Sequence, residues 1–319
     1  MTVMRRHLTF SARHDRRAVM TKARHAFRRQ LEAGSGSILA AGVGDAGQAR
    51  LVERVGYPAV YISGSYVNHT RGYPDGTLTL SEIAQRISEV ADRVNIPVIA
   101  DADEGFGSVL KIARTVHEFE RAGAAALHLE DFAIKKHGLP LPVQDMVTHL
   151  KVALDTRTDP DMLIIARTDA MSPWRDGIHA RRAACEEEAF ERALRYCDAG
   201  ADAIMPLFAT NSWLERYGPR IPKPVVVLGG APKNWGAEAA GVAEPEKTAS
   251  ELLAWNVRMV IYATNMLSRA HRFMTQEYGR WLQDGKFDVR PTDETDRADA
   301  NVLVGLPEKE RILQKYPVG

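Results

Sequence analysis

Eight times along this chain a short apolar, β-branched run gives way to a longer amphipathic segment, and this alternation limits the possible folds more than any other feature. The runs are SILAAGV (37–43), AVYISG (59–64), PVIADAD (97–103), ALHLED (126–131), LIIARTDA (163–170), AIMPLF (203–208), PVVVLG (224–229) and MVIYAT (259–264). Between them lie helical patterns such as AGQARLVERVG, LTLSEIAQRISEVADRV, SVLKIARTVHEFERAG and EEEAFERALRYCDAG. Gly56, Gly123 and Gly200 stand where such a helix must stop, and glycine accepts the left-handed conformation that closes one. Strand–helix–strand repetition returns the chain in one direction, so the strands are parallel. Near-continuous apolar strands suit a sheet covered on both faces. Eight units favour a closed α/β barrel of the (β/α)8, TIM type over an open sheet.

The expected organisation is a basic N-terminal helical arm over 1–30, the barrel over 31–280 and a C-terminal helical extension as a tail over 281–319. The arm carries nine Lys or Arg against the single acid Asp15, but no aromatic platform accompanies that charge, so nucleic acid is not expected as a partner. A formal net charge of +1 gives no global reason to seek nucleic acid or a membrane. Two cysteines, Cys185 and Cys197, suggest no disulfide framework and favour a reducing compartment. No apolar run approaches the roughly 20 residues a membrane span needs. The expected location is cytoplasmic.

Residues 42–47, GVGDAG, match the dinucleotide fingerprint G-x-G-x-x-G. That fingerprint wants an acid at the end of the second strand to hold a ribose, and the second run here ends YISGSYVNHT. The pattern therefore reads as a decoy.

In a barrel, chemistry sits at the C-terminal ends of strands, and the polar residues collect there. Run two ends in Ser63-Gly64-Ser65, run three in Asp101 and Asp103, run four in Glu130 and Asp131, and run five in Arg167, Thr168 and Asp169. Asp101 and Asp103, two apart, would share one face of a strand. With Glu130 they could form the oxygen shell of a hard divalent cation. The plainer alternative has Asp103 capping the following helix. Arg167 near the interior needs an anion, either a protein carboxylate or a substrate carboxylate held bidentately. The hydroxyls and N–H groups of Ser63, Gly64 and Ser65 also suit a carboxylate. His128 reads as a hydrogen-bonded interior residue.

The stretches YISGS, GYPDG, PVIADADEGFG, AGAAALHLED, ARTDA and AGADAI resemble, in order and spacing, the isocitrate lyase and phosphoenolpyruvate mutase superfamily. That resemblance implies a Mg²⁺-dependent barrel, with Mn²⁺ as a substitute, acting on small 2-oxo or 2-hydroxy carboxylates. Its members make or break a C–C or C–P bond next to a pyruvate-like enolate. Carried over, Asp101, Asp103 and Glu130 look like the metal shell, and Ser63, Gly64, Ser65 and Arg167 like the grip on substrate. Asp75 of GYPDG is similar to a motif aspartate near the metal. Homodimers or homotetramers with an exchanged C-terminal helix are implied as well.

The loop after run four departs from the family pattern. The lyases read K-[KR]-C-G-H there, and the cysteine is the implied proton donor. Here the loop is FAIKKHGLPLP, in which Lys135, Lys136 and His137 stand and cysteine does not. With Lys135 aligned to the motif lysine, His137 falls about where the cysteine would be, so Lys135, His137 and Arg167 are the expected catalytic groups. The expectation is a Mg²⁺-dependent C–C lyase. Oxaloacetate decarboxylation or hydrolysis, phosphonate chemistry and a non-catalytic ligand-binding barrel are the alternatives.

Overall fold

The structure, a computed structural model, describes residues 13–132, 139–172, 182–229, 245–286, 301 and 303–316. Eight parallel strands close into a barrel in chain order. They are β1 (Ile38–Val43), β2 (Ala59–Ile62), β3 (Val98–Asp101), β4 (Ala126–Glu130), β5 (Leu163–Thr168), β6 (Ala203–Pro206), β7 (Val225–Leu228) and β8 (Val257–Tyr262). Helices α1 (Arg13–Ala33), α2 (Ala46–Val55), α3 (Gly64–Thr70), α4 (Leu80–Ala91), α5 (Val109–Ala122) and α6 (Val143–Thr156) come from the first half. The second half supplies α7 (Arg182–Asp198), α8 (Asn211–Tyr217), α9 (Ala249–Leu252), α10 (Asn265–Asp284) and α11 (Leu306–Lys315).

The eight expected runs all became strands, with shifted ends. Run two stops at Ile62, short of the residue 64 expected, and Gly64 instead opens α3 because the Ser63 hydroxyl accepts from Tyr66 N and caps a turn. The last run begins two residues early, at Val257. Gly56 and Gly123 close α2 and α5 at φ 103° and 107°, and Gly200 sits at φ 101° beyond α7.

Residues two apart share a face of a strand, and the barrel sorts its apolar residues accordingly. One set, including Ile38, Ala40, Tyr61, Ile99, Leu163, Ile165, Met205 and Met259, fills the interior. The other, including Val60, Ile62, Val98, Leu127, Ile164 and Ile204, meets the surrounding helices. Phe27 and Leu31 of α1 belong to the interior set, so this helix stoppers the barrel. Two of its arginines are tied to the barrel: Arg24 donates to Asp159 Oδ2 (2.9 Å) and to the carbonyls of Glu120 and Ala124, and Arg28 donates to Asp202 Oδ1 (2.9 Å). The helix runs on past the boundary expected at residue 30, and α10 runs past the one expected at 280.

The glycines of GVGDAG have packing roles. Gly42 lies inside β1, where a Cβ would stand 1.7 Å from the Ala263 carbonyl oxygen. The N-terminus of α2 is capped by Asp45, which accepts from Gln48 N.

Candidate active site

The inward faces of β2 to β5 carry the site. Parallel registry sets Asp101 beside His128 and Glu130 beside Arg167, so these side chains meet because their strands pair. Tyr61, one strand over, completes the group. Its hydroxyl donates to Asp101 Oδ2 (3.2 Å) and lies 2.7 Å from His128 Nε2. Sequence reasoning missed Tyr61, because an aromatic within an apolar strand gives no sign of which face it takes.

Asp101 and Asp103 do converge, though by a different route from the one expected. Strand β3 ends at Asp101, so strand alternation does not bring Asp103 round. The chain turns there through left-handed residues, Asp103 (φ 44°), Gly105 (φ 90°), Phe106 (φ 61°) and Gly107 (φ 130°). Asp101 Oδ1 accepts from Asp103 N (3.2 Å) and stabilises this turn. The helix beyond has Ser108, not Asp103, at its N-cap position. One oxygen each from Asp101, Asp103 and Glu130 lie within 4.8 Å of one another.

Charge is unevenly balanced in this cluster. Burial alone would raise the Asp101 pKa, but the positive charge that His128 takes up in acid, the Arg167 guanidinium and the N–H groups of Gly64 and Asp103 outweigh it and hold it below the usual carboxylate value. Burial, then the charges of Asp101 and Glu104, push Asp103 well above its usual value. Burial also pushes Glu130 well up, against the pull of Arg167 and helped by Asp169, Asp103 and Asp101. His128 is fully buried and its pKa falls to about 4, so it is neutral at physiological pH. A divalent cation would relieve this crowding of carboxylates, and an all-oxygen donor set is what Mg²⁺ takes. The residues fit such an ion.

Arg167 finds its anions within the protein. It reaches Glu130 Oε2 through Nη1 (2.7 Å) and grips Asp169 bidentately through Nε (2.9 Å) and Nη2 (3.0 Å). Ser63 is buried and spends its hydroxyl on capping α3, while Gly64 N donates to Asp101 Oδ2 (3.1 Å). Ser65 stands at the start of α3, its hydroxyl 3.5 Å from His69 Nδ1. Asp75 lies in the turn after α3 and meets solvent. Its oxygen accepts from Gly76 N (3.1 Å) and Asn68 Nδ2 (3.4 Å), and desolvation on its protein side, then the Asp101 charge, raise its pKa. Lys135, Lys136 and His137 lie outside the described residues.

Residues 27–281 match the family model described as phosphoenolpyruvate phosphomutase. A 2,3-dimethylmalate lyase of Eubacterium barkeri is 40% identical over 308 residues, which cover 91% of this chain and 97% of that protein. A 2-methylisocitrate lyase of Salmonella typhimurium strain LT2 is 34% identical over 255 residues, 76% of this chain and 79% of that one. Among solved structures, a phosphonopyruvate hydrolase in complex with oxalate and Mg²⁺ superposes with a TM-score of 0.76 at 25% identity, covering 92% of this chain and 99% of the other. With a family match spanning most of its length and a relative this similar end to end, the chain belongs to the phosphoenolpyruvate mutase and isocitrate lyase superfamily.

Proposed function

We propose that this chain is a Mg²⁺-dependent carbon–carbon lyase, with Mn²⁺ as a substitute ion, that splits a small alkyl-substituted malate of the 2,3-dimethylmalate class. The observation that carries the reading is the meeting of Asp101, Asp103 and Glu130 oxygens within 4.8 Å, beside Arg167 at the C-terminal mouth of the barrel. The end-to-end similarity to a 2,3-dimethylmalate lyase supports the substrate class.

Asp101, Asp103 and Glu130 would hold the ion. When bound, it supplies Lewis-acid stabilisation of the negative charge that develops on substrate oxygens. Cleavage of a 2-hydroxy acid starts with loss of the hydroxyl proton to a general base. The bond between C2 and C3 then breaks, and C2 with its oxygen leaves as the carbonyl of a 2-oxo acid. The electron pair stays on C3 as a carbanion beside a carboxylate, and a general acid returns a proton there. For such a substrate the charge therefore collects on the departing acid while the pyruvate half leaves as the keto acid, and the pyruvate-like enolate implied by the resemblance would form only where the bond broken is at C3 of a 2-oxo acid. Arg167 has N–H groups beyond the three given to Glu130 and Asp169, and these would orient a substrate carboxylate. Gly64 N fixes Asp101, and Ser65 offers a hydroxyl to substrate. Lys135 and His137 are the groups we assign to proton transfer, with His137 as the acid in place of the absent cysteine.

We also read the chain as a cytoplasmic homodimer or homotetramer. Among the described residues no helix is long and apolar enough to cross a membrane. The exposure of Phe273 (64%), Tyr278 (61%) and Leu282 (85%) along α10 supports a partner copy. The test of activity is release of 2-oxo acid from 2,3-dimethylmalate, other 2-alkylmalates, methylisocitrate, oxaloacetate and phosphonopyruvate, with and without chelator and with His137→Ala. Turnover of a malate that disappears with the ion and with the substitution supports the reading. Turnover of oxaloacetate or phosphonopyruvate alone would replace it with a hydrolase.

A further inference from the structure

Asp131 follows Glu130 and is fully buried. Its carboxylate holds three donors. Oδ1 accepts from the backbone N of Asp169 (2.8 Å), and Oδ2 accepts from the Tyr196 hydroxyl (2.7 Å) and Arg192 Nη1 (3.2 Å). Arg192 Nη1 also donates to the Leu141 carbonyl (2.8 Å), and its Nε and Nη2 grip Glu188. Leu141 N returns a hydrogen bond to the Asp131 carbonyl (2.6 Å), and Phe132 bridges Pro140 in antiparallel fashion. One cluster therefore ties helix α7 to the end of β4, the end of β5 and the chain at 139–141.

The links continue to the site. Asp169, whose N–H is fixed by Asp131, is the residue that grips Arg167 bidentately, and Arg167 reaches Glu130. A buried carboxylate needs a countercharge, and Arg192 alone would satisfy that need for Asp131. The Tyr196 hydroxyl adds no charge. What it adds is direction, since it fixes the oxygen that Arg192 shares.

We propose that Arg192 and Tyr196 are positioning residues for the substrate grip: through Asp131 they set the Asp169 backbone, and through Asp169 the aim of Arg167. This rests on the reading of Arg167 as the group that orients a substrate carboxylate. Residues on an outer helix would thus act on binding without touching substrate.

Tyr196→Phe keeps volume and charge and removes only the hydroxyl. It should lower kcat/KM about tenfold, the scale of substitutions behind a site's contact residues, and the loss should fall mainly on KM because Arg167 grips substrate in the ground state as well. Arg192→Lys keeps the charge but cannot span Asp131 and the Leu141 carbonyl, and should show the same loss. Added guanidinium should restore part of the activity of Arg192→Ala. Hydrogen exchange at the Asp169 amide, followed without substrate, should quicken in Tyr196→Phe. A variant whose melting temperature drops while KM, kcat and this exchange stay at wild-type values would overturn the proposal and leave a purely structural cluster. Should the wild type turn over none of the acids offered, the lyase reading fails by itself. The exchange rate still decides: faster exchange keeps the link to Asp169, and unchanged exchange removes it.

Discussion

At the scale of single residues, Asp103 shows how a charged group and its backbone are matched. It sits at φ 44°, a left-handed conformation that Asn and Asp tolerate better than other side chains. Asp103→Asn therefore keeps the turn and removes only charge. We expect divalent-cation affinity, measured by calorimetry or Mn²⁺ paramagnetic resonance, to fall by at least about tenfold. Stability of the cation-free protein should hold or rise, because Asp103 there lies against the like charges of Asp101 and Glu104. A loss of cation-free stability would mean that the carboxylate serves the fold rather than an ion. Asp101, Asp103, Glu130 and Arg167 were legible in the sequence because charged residues ending apolar runs are costly without a use. Tyr61 was not, since only registry against Ile99 and the chain beyond it turns that ring toward Asp101. Nor was the commitment of Gly64 N and the Ser63 hydroxyl to their own neighbours, which depends on the α3 turn.

At the scale of elements, periodicity revealed the strands and missed how the ends are finished. The eight runs were readable because a strand buried on both faces is apolar almost throughout, but that same uniformity hides which residues face inward. Helix α1 is a case in point. Its charge was plain, whereas the role of Phe27 and Leu31 as interior residues needed the closed barrel to be visible. Phe27 is 2% exposed, so Phe27→Ala should cost about 3–5 kcal/mol in chemical denaturation. A cost below about 1 kcal/mol would mean that the barrel end closes without it. Helix α9 has a capping box, with the Thr248 hydroxyl on Glu251 N and the Glu251 carboxylate on Thr248 N. That backbone N–H, then Lys247 and the Thr248 hydroxyl, lower the Glu251 pKa from 4.5 to about 2. Its folded pKa is depressed, so its contribution to stability is present above the unfolded value and is lost as pH falls from 4.5 toward about 2. Glu251→Gln should flatten the acid limb of the stability curve in that window and leave the slope near neutrality unchanged. An acid limb identical to wild type would show that the box adds nothing at this exposed position.

At the scale of the whole molecule, the stoppered interior and the acidic mouth make opposite contributions. Interior residues from Phe27 and Leu31 up to Tyr61 form one apolar column, and above it Asp101, Asp103, Glu130 and Asp169 gather near Arg167. Folding brings these carboxylates together, and the unfolded chain separates them again. An ion held by the folded mouth and not by the unfolded chain therefore raises stability by mass action, about 2.7 kcal/mol at a concentration 100 times its dissociation constant. We expect the melting temperature to rise steadily with Mg²⁺ and to return to its starting value on chelation. In Asp103→Asn the same curve should shift to higher Mg²⁺. Monovalent salt at matched ionic strength separates this from screening, since screening acts through the Debye length and needs no dedicated oxygens. A melting temperature that responds equally to Na⁺ and Mg²⁺, in wild type and variant alike, would remove the cation from the mouth and with it the ground for the lyase reading. A response confined to divalent ions and weakened by the one substitution would tie the stability of the barrel to the same three carboxylates that we assign to its chemistry.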